Sequence, residues 1–96
     1  MSDVINQAVV VLTEKMSGVD IGGTVKFEIE DEGCVMVDDN GVRAGDDEAD
    51  VTLTADKETF EGMMEGETNP TSAFMTGKLK VDGDMGMAMK LASALA

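Results

Sequence analysis

The chain has 96 residues, a length that fits one domain with a modest core. It carries 20 acidic and 7 basic side chains, for a net charge of −13. Phosphate backbones and anionic lipid surfaces are bound by clusters of Lys and Arg. The charge balance therefore excludes nucleic acid as a partner and limits membrane contact to a transient one.

The cysteine content and the first residues bear on the compartment. The chain has one cysteine, Cys34, so no intramolecular disulfide can form. Residues 1–4 lack the basic start of a signal peptide, and no run reaches the length of a membrane span. We expect a soluble, cytoplasmic chain that folds as a single domain over residues 1–96.

The first half of the chain predicts one helix and four strands. Ser2 or Asp3 caps a helix that runs to about Ser17, with apolar residues at helical spacing, and Gly18 ends it. Apolar and polar residues then alternate with a period of two, which is typical of antiparallel strands with one solvated face. The Asn40-Gly41 pair is a hairpin turn signal. The four predicted strands cover residues 24–30, 34–37, 42–44 and 51–54.

The second half predicts two helices, a strand and a last helix. Asp56 caps a helix that runs to about Glu65. Asn69 followed by Pro70 is a cap followed by a favoured first helical residue, and it begins a short helix that ends at Gly77. A fifth strand over residues 78–81 and a helix over residues 84–96 follow, with Asp82 or Asp84 as the cap of the helix. The order of elements predicts an α+β fold, with helices on one face of a five-stranded, mostly antiparallel sheet.

The last helix is apolar around most of its circumference, with interruptions only at Lys90 and Ser93. Met85, Met89 and Ala92 share one side, and Met87, Leu91 and Leu95 share another. A helix of this kind needs apolar contacts on more than one side. A small domain has one core, so we expect a further apolar partner: another chain, a membrane, or a lipid held inside.

The sequence gives no sign of catalysis. It has no His or Tyr, no Ser lies in a Gly-x-Ser-x-Gly elbow, and Cys34 lies in a predicted strand. The acidic run after Val37 does not fit a calcium-binding loop, because Gly41 at position 6 would put Met36 at position 1. Lys78 is followed by Leu79, so no phosphate-binding loop is formed. We expect no enzyme activity, no metal and no cofactor.

Residues 69–91 resemble the C-terminal signature of the sterol carrier protein 2 domain family. That signature reads P-x-x-A-F-x-x-G-K-L-K-(V/I)-x-G-(D/N)-x-x-x-A-x-K-L, and this chain matches it from Pro70 to Leu91. The order of the preceding elements resembles the family as well. The chain departs from the family in its low aromatic content, three Phe with no Trp or Tyr, and in the lack of a C-terminal extension with a peroxisomal signal. These departures indicate a compact, bacterial-type member.

The resemblance implies an apolar tunnel between sheet and helices that takes fatty acid, acyl-CoA, phospholipid or sterol, without catalysis. The nine methionines agree with this, because Met adapts to irregular shapes; replacement of Leu by Met in an ordinary core is the alternative interpretation. The candidate lining residues are Phe27, Ile29, Phe60, Met64, Phe74, Met75, Met85, Met89 and Ala92. Each could also be ordinary core. Lys90 is a candidate partner for a ligand carboxylate or phosphate.

A second interpretation stays open. The apolar last helix could instead cover a partner chain or a second copy, as a protein–protein interaction module or a homodimer. We expect a monomer under the lipid-binding interpretation and a dimer under the second. A continuous apolar cavity beneath the last helix would favour lipid binding.

Overall fold

The computed structural model describes residues 3–95, except for the side chain of Leu95. Ser2 is one of the two predicted caps of the first helix, and it lies outside the described residues. The prediction of which side of the last helix carries the Leu95 side chain also falls outside them. No helix within residues 3–95 is long and apolar enough to cross a membrane. The elements are α1 (Asp3–Lys15), β1 (Val25–Ile29), β2 (Gly33–Asp38), β3 (Gly41–Ala44), β4 (Val51–Ala55), α2 (Lys57–Glu65), α3 (Pro70–Met75), β5 (Leu79–Gly83) and α4 (Met85–Leu95).

The five strands form one sheet in the order β3-β2-β1-β4-β5. Three of the neighbouring pairs are antiparallel, which confirms the predicted mostly antiparallel α+β fold. The fourth pair, β1 with β4, is parallel, so the sheet is mixed. The parallel pair arises because the chain leaves the edge strand β3 and crosses two strands before it enters β4.

The core lies between one face of the sheet and the helices. The inward side chains come from alternate strand residues, as the period of two predicts, and the helices add their apolar stripes. α1 packs on β2 and β3, whereas α4 packs on β4 and β5 and also contacts α3. The buried strand residues of this core are Val25, Phe27, Ile29, Val35, Val37, Val51, Leu53, Ala55 and Leu79.

The crossing segment, residues 45–50, lies over the other face of the sheet. Lys26 on that face forms an ion pair with Asp46, with Nζ 2.7 Å from Oδ1. A Cβ added at Gly45 would lie 3.3 Å from Cγ of Met36, whose side chain is fully buried although it points away from the main core. The segment thus covers an apolar side chain on the face that the helices leave open.

Three predicted helix caps are confirmed. Asp56 Oδ1 accepts a hydrogen bond from the backbone N–H of Thr59 at 2.7 Å, at the start of α2. Asn69 Oδ1 accepts from the N–H of Thr71 at 2.8 Å, at the start of α3. Asp84, not Asp82, caps α4 and accepts from the N–H of Met87 at 3.1 Å. Each cap satisfies amides that have no partner within the helix.

Gly83, which ends β5, should tolerate no side chain. Its φ is 118°, and an added Cβ would press on the Asp50 carbonyl oxygen and lie 2.8 Å from the Cα of Val51. We expect Gly83→Ala to lower the free energy of unfolding by at least about 3 kcal/mol, because backbone atoms cannot move aside cheaply. Chemical denaturation followed by far-UV circular dichroism measures this.

Gly77→Ala is the matched control for Gly83→Ala. Gly77 also has a positive φ, 81°, but nothing lies within 4 Å of an added Cβ. We expect Gly77→Ala to lower the free energy of unfolding by only about 1 to 2 kcal/mol, which is the cost of the left-handed backbone alone. If the two variants lose the same free energy of unfolding, then contact with the backbone of Asp50 and Val51 is not what excludes a side chain at Gly83.

Candidate functional site

An apolar cavity lies between the sheet, α3 and α4. Its volume is about 20 Å³, roughly the space of one water-sized sphere. Residues of the sheet, of α2 and α3 and of α4 line it, and they are Phe27, Leu53, Met63, Pro70, Thr71, Phe74, Leu79, Val81, Met85, Ala88, Met89 and Ala92.

The lining contains one polar side chain, Thr71, and no ionisable one. Such a surface binds through burial of apolar area and through dispersion contacts. It has no group that could transfer a proton or act as an activated nucleophile. The chemistry that the cavity offers is therefore the binding of an apolar group.

The strand register positions the floor of the cavity. Phe27 in β1 lies opposite Leu53 in β4, which lies opposite Val81 in β5. Paired residues of neighbouring strands point to the same face, so these three side chains form a row beneath the helices. The row exists only because β4 inserts between β1 and β5.

Two helices form the wall and the mouth of the cavity. Met85, Met89 and Ala92 follow one another along one side of α4 at helical spacing. Phe74 of α3 lies across from them, since α3 and α4 are in contact. Met85 is 44%, Met89 47% and Phe74 39% exposed. The cavity therefore reaches solvent between side chains that are themselves apolar.

Five of the nine predicted lining residues meet in this cavity. They are Phe27, Phe74, Met85, Met89 and Ala92. Phe60 and Met64 instead line a second, more open groove of about 250 Å³ between α1 and α2. The ring of Phe60 packs edge-on against Phe27, which lines the first cavity, with 5.8 Å between ring centroids. The Phe27–Phe60 pair thus joins a residue that lines the cavity to a residue that lines the groove.

The remaining predicted side chains lie elsewhere. Ile29 is buried in the core and lines neither cavity. Met75, at the end of α3, is 79% exposed and is not among the residues that line the cavity. Lys90 is exposed on α4 and is not among the residues that line the cavity.

Seven further residues line the cavity without having been predicted: Leu53, Met63, Pro70, Thr71, Leu79, Val81 and Ala88. One signal was available for Ala88, which lies at helical spacing between Met85 and Ala92. Leu53 and Val81 had the right alternation to face the helices. What the sequence did not reveal is that β4 lies beside β1 and that β5 lies beside β4.

The groups with shifted pKa values lie outside the cavity. Hydrogen bonding to Asp46 raises the pKa of Lys26, and burial together with the Asp46 charge raises the pKa of Cys34. A hydrogen bond from Arg43 lowers the pKa of Asp38. Within residues 3–95 no group of three or more His, Cys, Asp or Glu side chains could hold a metal ion. Lys26, Cys34 and Asp38 belong to the outer face of the sheet, and none of them lines the cavity.

The fold and the cavity together define a small α+β domain with an apolar cavity between its sheet and its helices. The model of the SCP-2 sterol transfer family matches residues 13–96. The chain therefore belongs to the SCP-2 sterol transfer family, which confirms the resemblance found at residues 69–91.

Relatives of known sequence or structure agree. Human sterol carrier protein 2 is 42% identical over 81 residues, which cover 74% of this chain and 15% of that protein. The sterol carrier protein domain 2 of Helicoverpa armigera is 28% identical with a TM-score of 0.78, over 96% of this chain and 85% of that one. The Aedes aegypti sterol carrier protein-2 in complex with palmitate is 21% identical with a TM-score of 0.79, over 100% and 97% of the two chains. The chain spans 12% to 20% of the length of the curated relatives it matches.

Proposed function

We propose that this domain binds a lipid in the cavity beneath α4 and passes it on unchanged. The ligand class is an acyl chain, as in a fatty acid, acyl-CoA or phospholipid, or a sterol-like molecule. The observation that carries the proposal is the lining, where 11 of the 12 side chains are apolar. Membership in the SCP-2 family supports it, as does palmitate in the Aedes aegypti relative of the same fold.

The cavity must widen to admit a chain of methylenes, because its volume is about 20 Å³. Met85 and Met89 on α4 are suited to move, since Met has three rotatable bonds and packs in many shapes. Both are partly exposed, so they can swing towards solvent without displacing the core. The mouth between α3 and α4 is therefore the entry that we propose.

The free energy of burial is sufficient for such a ligand. Each buried methylene contributes about 0.8 kcal/mol, so about ten methylenes contribute roughly 8 kcal/mol before ordering costs. Side-chain movement and loss of ligand freedom reduce this figure. A long acyl chain should therefore bind, whereas a short one should not.

The first test is loading with palmitate. We expect native mass spectrometry to show one palmitate per chain, and we expect the midpoint of thermal unfolding to rise. A ligand that binds only the folded state stabilises it by about 2.7 kcal/mol at about 100 times its Kd. Butyrate is the matched control, because it keeps the carboxylate and lacks most methylenes. The proposal is contradicted if the protein loads none of the four ligands tested: palmitate, an acyl-CoA, a phospholipid and a sterol.

A second candidate function is binding of another chain through the same helix. The exposed apolar side chains of Met85 and Met89 favour it, because surface patches of this kind occur at protein interfaces. Sedimentation velocity distinguishes the two candidates. A dimer that dissociates when Met89 is replaced by Gln would support the interaction module, and a monomer that loads palmitate would support the carrier.

A further inference from the structure

β5 is an edge strand, and no strand in the described part of the chain pairs with its outer side. Such an edge presents N–H and C=O groups that can pair with another strand. The N–H of Asp84 donates to the carbonyl of Asp50 and continues the pairing of β5 with β4. Hydrogen-bonding residues alternate along a strand, so Lys80 and Asp82 direct their backbone groups to β4. Val81, between them, directs its backbone groups outwards.

The side chains of β5 carry charges of both signs. Lys80 and Asp82 are exposed on the outer face of the sheet, because the alternate residues of β5 line the cavity. Neither side chain has an ion-pair partner among the described residues. At the opposite edge, β3 has only four residues, and its Arg43 is paired with Asp38 and Asp47. β5 is thus the edge whose charges lack a partner on their own chain.

We propose that a second copy of this chain adds its β5 to this edge, antiparallel and about a two-fold axis at Val81. In this pairing the backbone of Val81 hydrogen-bonds to Val81 of the second copy, and Leu79 lies opposite Gly83. Lys80 of each copy lies opposite Asp82 of the other, and opposite charges on facing residues stabilise a strand pair. The two five-stranded sheets become one, with the helices of both copies on the same face.

The charges select this register. Sliding one copy by two residues in either direction places Lys80 opposite Lys80 or Asp82 opposite Asp82, and like charges in facing positions are destabilising. The centred register avoids both. Residues 78–84 hold two Lys and two Asp and are therefore neutral in a chain of net charge −13. The acidic remainder of the two copies lies further from the axis, where salt screens repulsion beyond about 8 Å.

The interface is small, because each copy contributes one strand of five residues. We therefore expect a weak dimer that depends on protein concentration. The inference goes beyond the proposed function, since the pairing needs no ligand. It also uses a surface different from the exposed side of α4 that carries Met89.

A charge swap tests the pairing. We expect sedimentation velocity to show a monomer–dimer equilibrium for the wild type. Lys80→Asp places two like-charge pairs across the axis and should raise the Kd of the dimer at least about tenfold. The double variant Lys80→Asp/Asp82→Lys restores opposite charges in the same register, and its Kd should return close to that of the wild type. Lys57→Asp makes the same charge change at an exposed position on α2 and should leave the Kd unchanged.

Amide hydrogen exchange of the wild type, measured by NMR, gives a second test that needs no variant. The outward N–H of Val81 should exchange more slowly as protein concentration rises. The N–H of Val42 is the matched control at the other edge, since Gly45 donates to Cys34 and the alternation turns Val42 outwards. Its exchange should not depend on concentration.

The outcomes separate this inference from the proposed function. A protein that stays monomeric up to millimolar concentration overturns the inference even if it loads palmitate. A dimer that loads no lipid supports the inference and contradicts the carrier. The inference is also overturned by a dimer in which Val81 exchange is unchanged, or by a folded double variant that does not recover the Kd. A dimer that Met89→Gln dissociates and Lys80→Asp does not would assign the interface to α4.

Discussion

Phe27→Ala is expected to lower the free energy of unfolding by about 3 to 5 kcal/mol. Phe27 lies in the central strand β1 and is 1% exposed, with its ring packed edge-on against Phe60. Its truncation removes buried area, leaves a cavity between the sheet and the helices, and ends the ring contact. A chain of this length has a total stability of about 5 to 14 kcal/mol, so the loss is a large fraction of it.

Phe74→Ala is the matched control, because the same group is removed at the rim and not in the core. Phe74 is 39% exposed, so we expect a loss of no more than about 1 to 2 kcal/mol. Urea unfolding followed by far-UV circular dichroism measures both variants. Losses of equal size would show that the row of Phe27, Leu53 and Val81 is not the packed centre that the structure describes.

Ala92→Phe is expected to weaken palmitate binding at least about tenfold, which corresponds to about 1.4 kcal/mol. Ala92 is largely buried on the side of α4 that lines the cavity. A phenyl ring at this position occupies the space that the proposed acyl chain needs. Titration with palmitate, with bound ligand measured by native mass spectrometry or calorimetry, gives the change in Kd.

Two controls accompany Ala92→Phe. Overpacking costs about 1 to 3 kcal/mol, so circular dichroism must show that the variant is folded at the temperature of the titration. Val10→Phe adds the same ring at an exposed position on α1 and should bind palmitate as the wild type does. If Ala92→Phe also binds like the wild type, the ligand is not held beneath α4, and the groove between α1 and α2 becomes the candidate.

Much of the secondary structure could be predicted because it depends on local features. The period of two in residues 24–30 predicts a strand with one solvated face, and β1 covers Val25–Ile29. Asp56, Asn69 and one of Asp82 or Asp84 are predicted as caps from their type and position, and Asp56, Asn69 and Asp84 each accept a hydrogen bond from a helix amide. A capping side chain bonds to backbone amides two or three residues further along the chain, so a short stretch of sequence is enough to predict it.

The parallel pairing of β1 and β4 could not be predicted from the same evidence. The alternation in residues 51–54 shows that β4 has an inner and an outer face, but not which strand lies beside it. Met36 illustrates the same limit: its burial depends on residues 45–50, which cross the open face of the sheet. Contacts between residues far apart in the chain do not leave a periodic pattern.

The sequence by itself determined the elements, their caps, the acidic character and the apolar last helix, and its residues 69–91 indicated the family. Only the tertiary structure decided which apolar residues line the cavity. It places Leu53 and Val81 in one row with Phe27, puts Phe60 and Met64 in another groove, and leaves Met75 at the surface. The reason is physical: an apolar side chain has no local signal for core, cavity or rim, because that depends on which distant surfaces the folded chain packs against it.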